Sequence, residues 1–125
     1  MNKNKVAIIG AAGFVGTRLA NRLKEKNIIF NKYDINTNCH NDACTYLNVE
    51  DVNTLDKLED IDTIINLAAV HRDDVRPLSR YDDVNVKGAI NICEAARKHN
   101  INKIIFTSSV AIYGFAPIDT DESGE

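Results

Sequence analysis

Three glycines at three-residue intervals, Gly10, Gly13 and Gly16, punctuate the run Gly10-Ala11-Ala12-Gly13-Phe14-Val15-Gly16, directly after the apolar segment Lys5–Ile9. At a strand-to-helix junction this spacing is suited to holding a pyrophosphate. The chain must turn sharply at Gly10, a side chain at Gly13 would hold the anion off the backbone, and one at Gly16 would push the helix off the strand. Amides freed at the helix start, backed by the helix dipole, then point at negative charge. Asp34 comes 18 residues after Gly16, at the end of the next apolar run, where a carboxylate can accept both hydroxyls of an adenosine ribose. The same carboxylate would repel a 2′-phosphate, and no arginine stands in Ile35–Asn38. Taken singly, the glycines also admit a purely structural turn, though they favour the binding reading, and Asp34 reads equally as a turn residue. Together they predict a dinucleotide site that takes NAD rather than NADP.

Such a site requires strands and helices in alternation. Lys5–Ile9 reads as a buried strand, and apolar residues at helical spacing (Ala12, Gly16, Leu19, Ala20, Leu23) predict a helix from Gly13 to Lys26, stopped at Asn27. Ile28–Tyr33 predicts a second strand ending at Asp34, Cys44–Val49 a third, Thr63–Leu67 a fourth and Lys103–Thr107 a fifth. Val52, Leu55 and Leu58 mark a short helix. A longer helix begins with a capping-box-like Ser79 and Asp82 and ends at Arg97, Lys98 and His99, so both ends complement its dipole. Val86, Ala89, Ile90, Cys93 and Ala96 are its expected buried stripe. The segment Ile35–Ala43 is short for a helical crossover and reads as a loop or a single turn. The result is an α/β chain with a parallel sheet covered by helices on both faces. Residues 1–118 form one domain and the polar end Asp119–Glu125 lies beyond it.

Composition narrows the classes. The 125 residues are 44% hydrophobic and 26% charged, with a net charge of −3, which argues against a nucleic-acid partner. The cations Arg18, Arg22, Lys24 and Lys26 fall on one helix and read as a solvated face. No apolar run is long enough for a membrane span, and MNKNK lacks the apolar core of a signal peptide. Cys39, Cys44 and Cys93 have no paired spacing, and His40 beside Cys39 is too little for a metal site. Free thiols in a reducing cytoplasm are expected, with no metal.

Taken together, GAAGFVG (10–16), the strand end at Asp34, INLAA (65–69), DVNVKGAINICEAA (83–96) and TSSVAIYG (107–114) resemble the extended short-chain dehydrogenase/reductase family, in particular its NAD-dependent sugar-nucleotide epimerases and dehydratases. The resemblance implies a Rossmann-like, doubly wound sheet of about five strands in the order 3-2-1-4-5. It implies that Phe14 and Val15 offer amides to the pyrophosphate, and that Asn48 and Val49 lie beside the adenine. Leu67, Ala68 and Ala69 would line the cofactor's path and Asn85 would stand near it, while Gly10, Gly13, Gly16, Asp34 and Ile35 complete the cofactor set. Ser109 would orient the sugar hydroxyl as the catalytic residue, and Tyr113 takes a core or loop role. Ile9 replaces the threonine that commonly precedes the first glycine, and Asn48 stands where the family usually has Asp.

Hydride transfer in that family needs a tyrosine made acidic by a lysine four residues on. Tyr33, Tyr46, Tyr81 and Tyr113 are followed at that distance by Thr37, Glu50, Asn85 and Pro117. An unassisted tyrosine titrates near about 10, too high for a general base at neutral pH. The expectation is therefore the N-terminal, NAD-binding part of an enzyme acting on a nucleotide sugar, truncated, without the later strands and substrate lobe, and inactive alone. A non-catalytic dinucleotide-binding or regulatory module is the alternative. Sheet residues left uncovered (Ile64–Leu67, Ile104–Phe106) would favour self-association or a homodimer. His71, Arg72, Asp73 and Asp74 read equally as a substrate-facing loop or a solvated one.

Overall fold

A computed structural model of the chain describes residues 5–38, 44–68 and 82–107. β1 (Val6–Ile9) is the centre of a five-stranded sheet, with β2 (Phe30–Asp34) and β3 (Thr45–Tyr46) to one side and β4 (Thr63–Asn66) and β5 (Lys103–Phe106) to the other. Every pairing is parallel, in the order β3-β2-β1-β4-β5, as expected for a Rossmann-like sheet. Ala7, Ile8 and Ile9 are at most 1% exposed, which is why this strand is an unbroken apolar run and not an alternating one. Ile9 pairs with Tyr33 on one side and with Asn66 on the other, so three strands end level. The chain order reverses at β1, opening the crevice where α/β sheets take ligands.

Two apolar clusters sandwich the sheet. Helix α1 (Phe14–Glu25) packs Ala20 and Leu23 against Ile8 and Cys44. On the other face, a 3-10 helix (Val52–Leu58) and helix α2 (Gly88–Lys98) bury Leu55, Leu58 and Ile92 against Ile9, Tyr33 and Ile64. Both α-helices among the described residues stop in the same way. Asn27 (φ 59) and Asn100 (φ 57) take the left-handed conformation. The amide that follows each reaches back to a carbonyl of the last helical turn, Ile28 N–H to Leu23 O at 3.0 Å and Ile101 N–H to Ala96 O at 2.8 Å.

Several boundaries differ from the sequence-based expectation. β2 starts at Phe30, not Ile28, because the Ile28 amide is committed to the end of α1. β3 keeps two residues, since the backbone turns at Asn48 and leaves the ladder. Ahead of α2, Asp82–Lys87 is a π-helix. Its wider turn shifts the phase of the following residues. The buried stripe is consequently Gly88, Ile92, Ala95 and Ala96, while Val86 and Ile90 stand 52% and 53% exposed. Cys44 is disulfide-bonded, so of the three expected free thiols only Cys93 is free among the described residues. The Cys44 amide donates to Thr37 O at 3.0 Å, closing the β2–β3 connection into a small loop that cysteine spacing does not reveal.

Candidate functional site

At the carboxyl end of β1 the chain folds under the amides of its own glycine loop. Gly10 has φ +85, a conformation glycine adopts without strain, and its amide and that of Ala11 both donate to Tyr33 O, at 2.9 and 3.2 Å. A Cβ on Gly10 would lie 2.8 Å from the Ala68 nitrogen and the Leu67 carbonyl carbon, and one on Gly16 would lie 2.6 Å from Ala11 Cα. Both glycines therefore permit backbone to meet backbone. Gly13 differs: the nearest atom to its Cβ position is Gly10 O at 3.6 Å, so the space above it is open. Gly13 is also the N-cap of α1, with no side-chain cap bond and no acidic residue in the first helical turn. The first-turn amides have no acceptor within the helix. Phe14 and Val15 are exposed, and the Arg18 guanidinium lies 3.8 Å from the centre of the Phe14 ring.

Asp34 closes the loop from the side. Its Oδ2 accepts the Ala12 amide and its Oδ1 the Asn36 amide, both at 2.9 Å. A carboxylate carries about four acceptor positions, so both oxygens retain capacity for further donors. The carboxylate thus welds the end of β2 to a loop 22 residues earlier and remains half-exposed beside it. Ile35 follows it as an exposed side chain.

Asn48 lies just past β3, whose register sets Asp34 beside Tyr46. Its Oδ1 accepts the Glu50 amide at 3.0 Å, while its own amide donates to Thr54 Oγ1 at 3.0 Å. Val49 turns its side chain into the core, 4% exposed, and its carbonyl accepts Asn91 Nδ2 at 2.8 Å. Leu67 packs on the α1 side of the sheet, and Ala68 on the opposite side. Asn85 is exposed on the π-helix. Ala69, Ser109, Tyr113 and His71–Asp74 lie outside the described residues.

Two residues contribute that sequence reasoning missed. Asn66 is 7% exposed at the end of β4 and accepts the Ala68 amide on Oδ1 at 3.1 Å, fixing the strand's exit beside Gly10. Thr54 Oγ1 also donates to Asn48 O at 2.9 Å, locking the turn. A polar residue closing the apolar run TIIN was the available signal for the first, and no local signal marked the second. Among the described residues no group of three or more His, Cys, Asp or Glu side chains could hold a metal ion, and no helix is long and apolar enough to cross a membrane.

A family model described as the NAD dependent epimerase/dehydratase family matches residues 6–125. The chain is 44% identical over 124 residues to N-acetyl-alpha-D-glucosaminyl-diphospho-ditrans,octacis-undecaprenol 4-epimerase of Escherichia coli O157:H7, covering 98% of this chain and 37% of that protein. A solved mutant of uronate dehydrogenase from Agrobacterium tumefaciens, complexed with NAD, is 26% identical with a TM-score of 0.71, over 85% of this chain and 41% of that one. The UDP-glucose 4-epimerase of Thermus thermophilus shares the fold, with a TM-score of 0.82 at 22% identity over 95% of this chain and 43% of the other. The chain spans about two fifths of the length of these relatives.

Proposed function

The chain belongs to the NAD-dependent epimerase/dehydratase family, and from that premise we propose that residues 1–118 are the NAD-binding part of an enzyme acting on a nucleotide sugar. The carrying observation is the bond between Asp34 Oδ2 and the Ala12 amide, which makes a ribose acceptor and an anion cradle one rigid unit. Gly13 leaves room for a pyrophosphate where any side chain would intrude, and the amides of Phe14 and Val15 face that room from an uncapped helix start. Asp34, with Ile35 at its side, takes the adenosine ribose and disfavours NADP. Asn48 and the backbone of Val49 flank the base. Leu67, Ala68 and Ala69 line the path onward, and Asn85 stands near its far end.

Bound NAD supplies a hydride acceptor for the sugar carbon. Ser109 orients the sugar hydroxyl, and proton removal calls for a base that this sequence does not pair. No tyrosine has a lysine four residues on, so the 125-residue chain binds without turning over. Titration calorimetry tests the reading: NAD binds saturably, NADP at least about tenfold more weakly, and Asp34→Ala abolishes the preference together with most of the affinity. Equal binding of the two nucleotides, or reduction of NAD by this chain with a nucleotide sugar, overturns it.

A further inference from the structure

We propose that Asn66, at the carboxyl end of β4, donates a hydrogen bond from Nδ2 to the pyrophosphate of the dinucleotide, completing from the β4 side the anion cradle that the α1 amides open. The inference rests on the NAD-binding reading above and adds to it a side chain to which the resemblance gives no role. Among the described residues, Thr63 and Asn66 are the buried polar side chains. Thr63 Oγ1 is bonded to Asp62 Oδ2 at 3.3 Å. Asn66 is only half provided for. Its Oδ1 accepts the Ala68 amide at 3.1 Å, which requires oxygen at that end and leaves Nδ2, a donor with no lone pair, at the other. Nδ2 has no acceptor among the described residues, although Asn66 is only 7% exposed. The atom retains accessible surface, so a ligand oxygen can reach it. An unmet donor in so buried a residue costs about 1–3 kcal/mol, and a functional partner is one of the few reasons to keep it.

The placement points to phosphate. Ile9 pairs with Tyr33 on one side and Asn66 on the other, so β2, β1 and β4 end level. Asp34 follows Tyr33, and the glycine loop follows Ile9. Asn66 is thus one strand spacing, about 4.8 Å, from the strand that feeds that loop, on the side away from Asp34. Its carboxamide lies against the Ala68 nitrogen, itself 2.8 Å from where a Cβ on Gly10 would stand. Of the parts of a dinucleotide, the phosphates are acceptors throughout and carry the negative charge. A donor without a lone pair matches them, and a carboxylate in its place would repel them.

Two variants separate this role from a structural one. Asn66→Asp keeps the oxygen that accepts the Ala68 amide and puts a charged acceptor where the donor was, while Asn66→Ser keeps an acceptor and removes the donor alone. If the side chain only closes β4, Asp serves as well as Asn and Ser is the weaker; if it meets phosphate, the order reverses. Calorimetry uses NAD and ADP, which carries the pyrophosphate without the nicotinamide riboside. Both ligands are expected to weaken by about two- to tenfold in Asn66→Ser, the scale of one hydrogen bond. They weaken by more than about tenfold in Asn66→Asp, a deficit that shrinks with added salt. Parent-like NAD binding by Asn66→Ser overturns the proposal, as does Asn66→Asp binding better than Asn66→Ser, or loss of NAD affinity with ADP unchanged. Thermal melts establish that each variant is folded, and if Asn66→Asp is not, Asn66→Ser decides alone. If the parent binds neither nucleotide, the NAD-binding reading itself fails and takes this inference with it.

Discussion

Replacing Gly16 and Gly13 in turn by alanine separates the packing role of the loop from its binding role. A methyl on Gly16 meets three backbone atoms, Ala11 Cα at 2.6 Å, Gly10 O at 2.7 Å and Ala11 O at 2.8 Å. Backbone cannot rotate away as a side chain can, so α1 must lift by roughly 0.8 Å to reach ordinary contact at 3.4 Å. Overpacking of this kind costs about 1–3 kcal/mol, and the rigid neighbours place it at the upper end. Alanine returns up to about 1 kcal/mol of helix propensity, leaving a net loss near 2 kcal/mol. For a domain of this length that lowers Tm by roughly 6–10 °C. A methyl on Gly13 meets only Gly10 O at 3.6 Å, in a backbone conformation (φ −79, ψ −179) that alanine tolerates. Its weaker capping and its stiffer unfolded chain offset one another within about 1 kcal/mol. Thermal melts and NAD titration of both variants give the readout. Gly16→Ala should lose stability, while Gly13→Ala should keep Tm within a few degrees and lose about tenfold or more in NAD affinity. A Gly13→Ala variant that binds NAD like the parent, or a Gly16→Ala variant that melts with it, refutes the reasoning.

Two further outcomes are expected. Glycine at position 27 or 100 should raise stability by a few tenths to about 1 kcal/mol each, because both residues sit in the left-handed region that costs an L side chain energy; unchanged or lower melting temperatures would count against the assigned helix ends. Lys98 Nζ donates to Asp56 Oδ1 at 2.7 Å and holds that carboxyl below its ordinary value of 3.8, the ammonium charge adding to the hydrogen bond and His99 contributing a little. A lowered folded-state value contributes stability that is fully present above the ordinary carboxylate value and is lost as pH falls through the lowered one. The pair is exposed, so Asp56→Asn should lower Tm by no more than a few degrees near neutrality, with the difference shrinking in high salt and fading as pH falls below the ordinary carboxylate value. A gap that persists in acid would refute the assignment.

The strands and the glycine loop were legible in the sequence because each rests on local chemistry, whereas the strand order came from the family resemblance. A buried parallel strand must be apolar throughout, so KVAII and TIIN announce themselves, and Gly10 and Gly16 stand where no Cβ fits. What escaped depends on how neighbouring segments share hydrogen bonds. Ile28 has the composition of a strand residue, yet its amide is spent on Leu23 O. Val86 and Ile90 match a helical stripe, yet the π-turn before Gly88 rotates them outward. Asn48 was expected beside the base by resemblance, but the turn it caps, with Oδ1 accepting the Glu50 amide and its backbone amide donating to Thr54 Oγ1, is recorded by no periodicity. The Cys44 disulfide likewise depends on how tightly the loop after β2 closes.

Asp34 makes the nucleotide-binding half of the proposed site self-sufficient. Its two oxygens tie the glycine loop and the start of the β2–β3 loop to one carboxylate, so the ribose acceptor cannot move without moving the amides of the cradle. Gly10 and Ala11 are bonded to Tyr33 O, one residue before it, which adds a second fastening between the same two segments. Asn85 apart, every described residue of the proposed site lies on or next to β1, α1, β2, β3 or β4, elements that all fall within residues 5–68. Ser109, proposed to orient the sugar, belongs to a different segment of the sequence. On the proposed function, affinity for NAD and action on a sugar are therefore assigned to separate parts of the sequence, and NAD binding is expected from the first part alone.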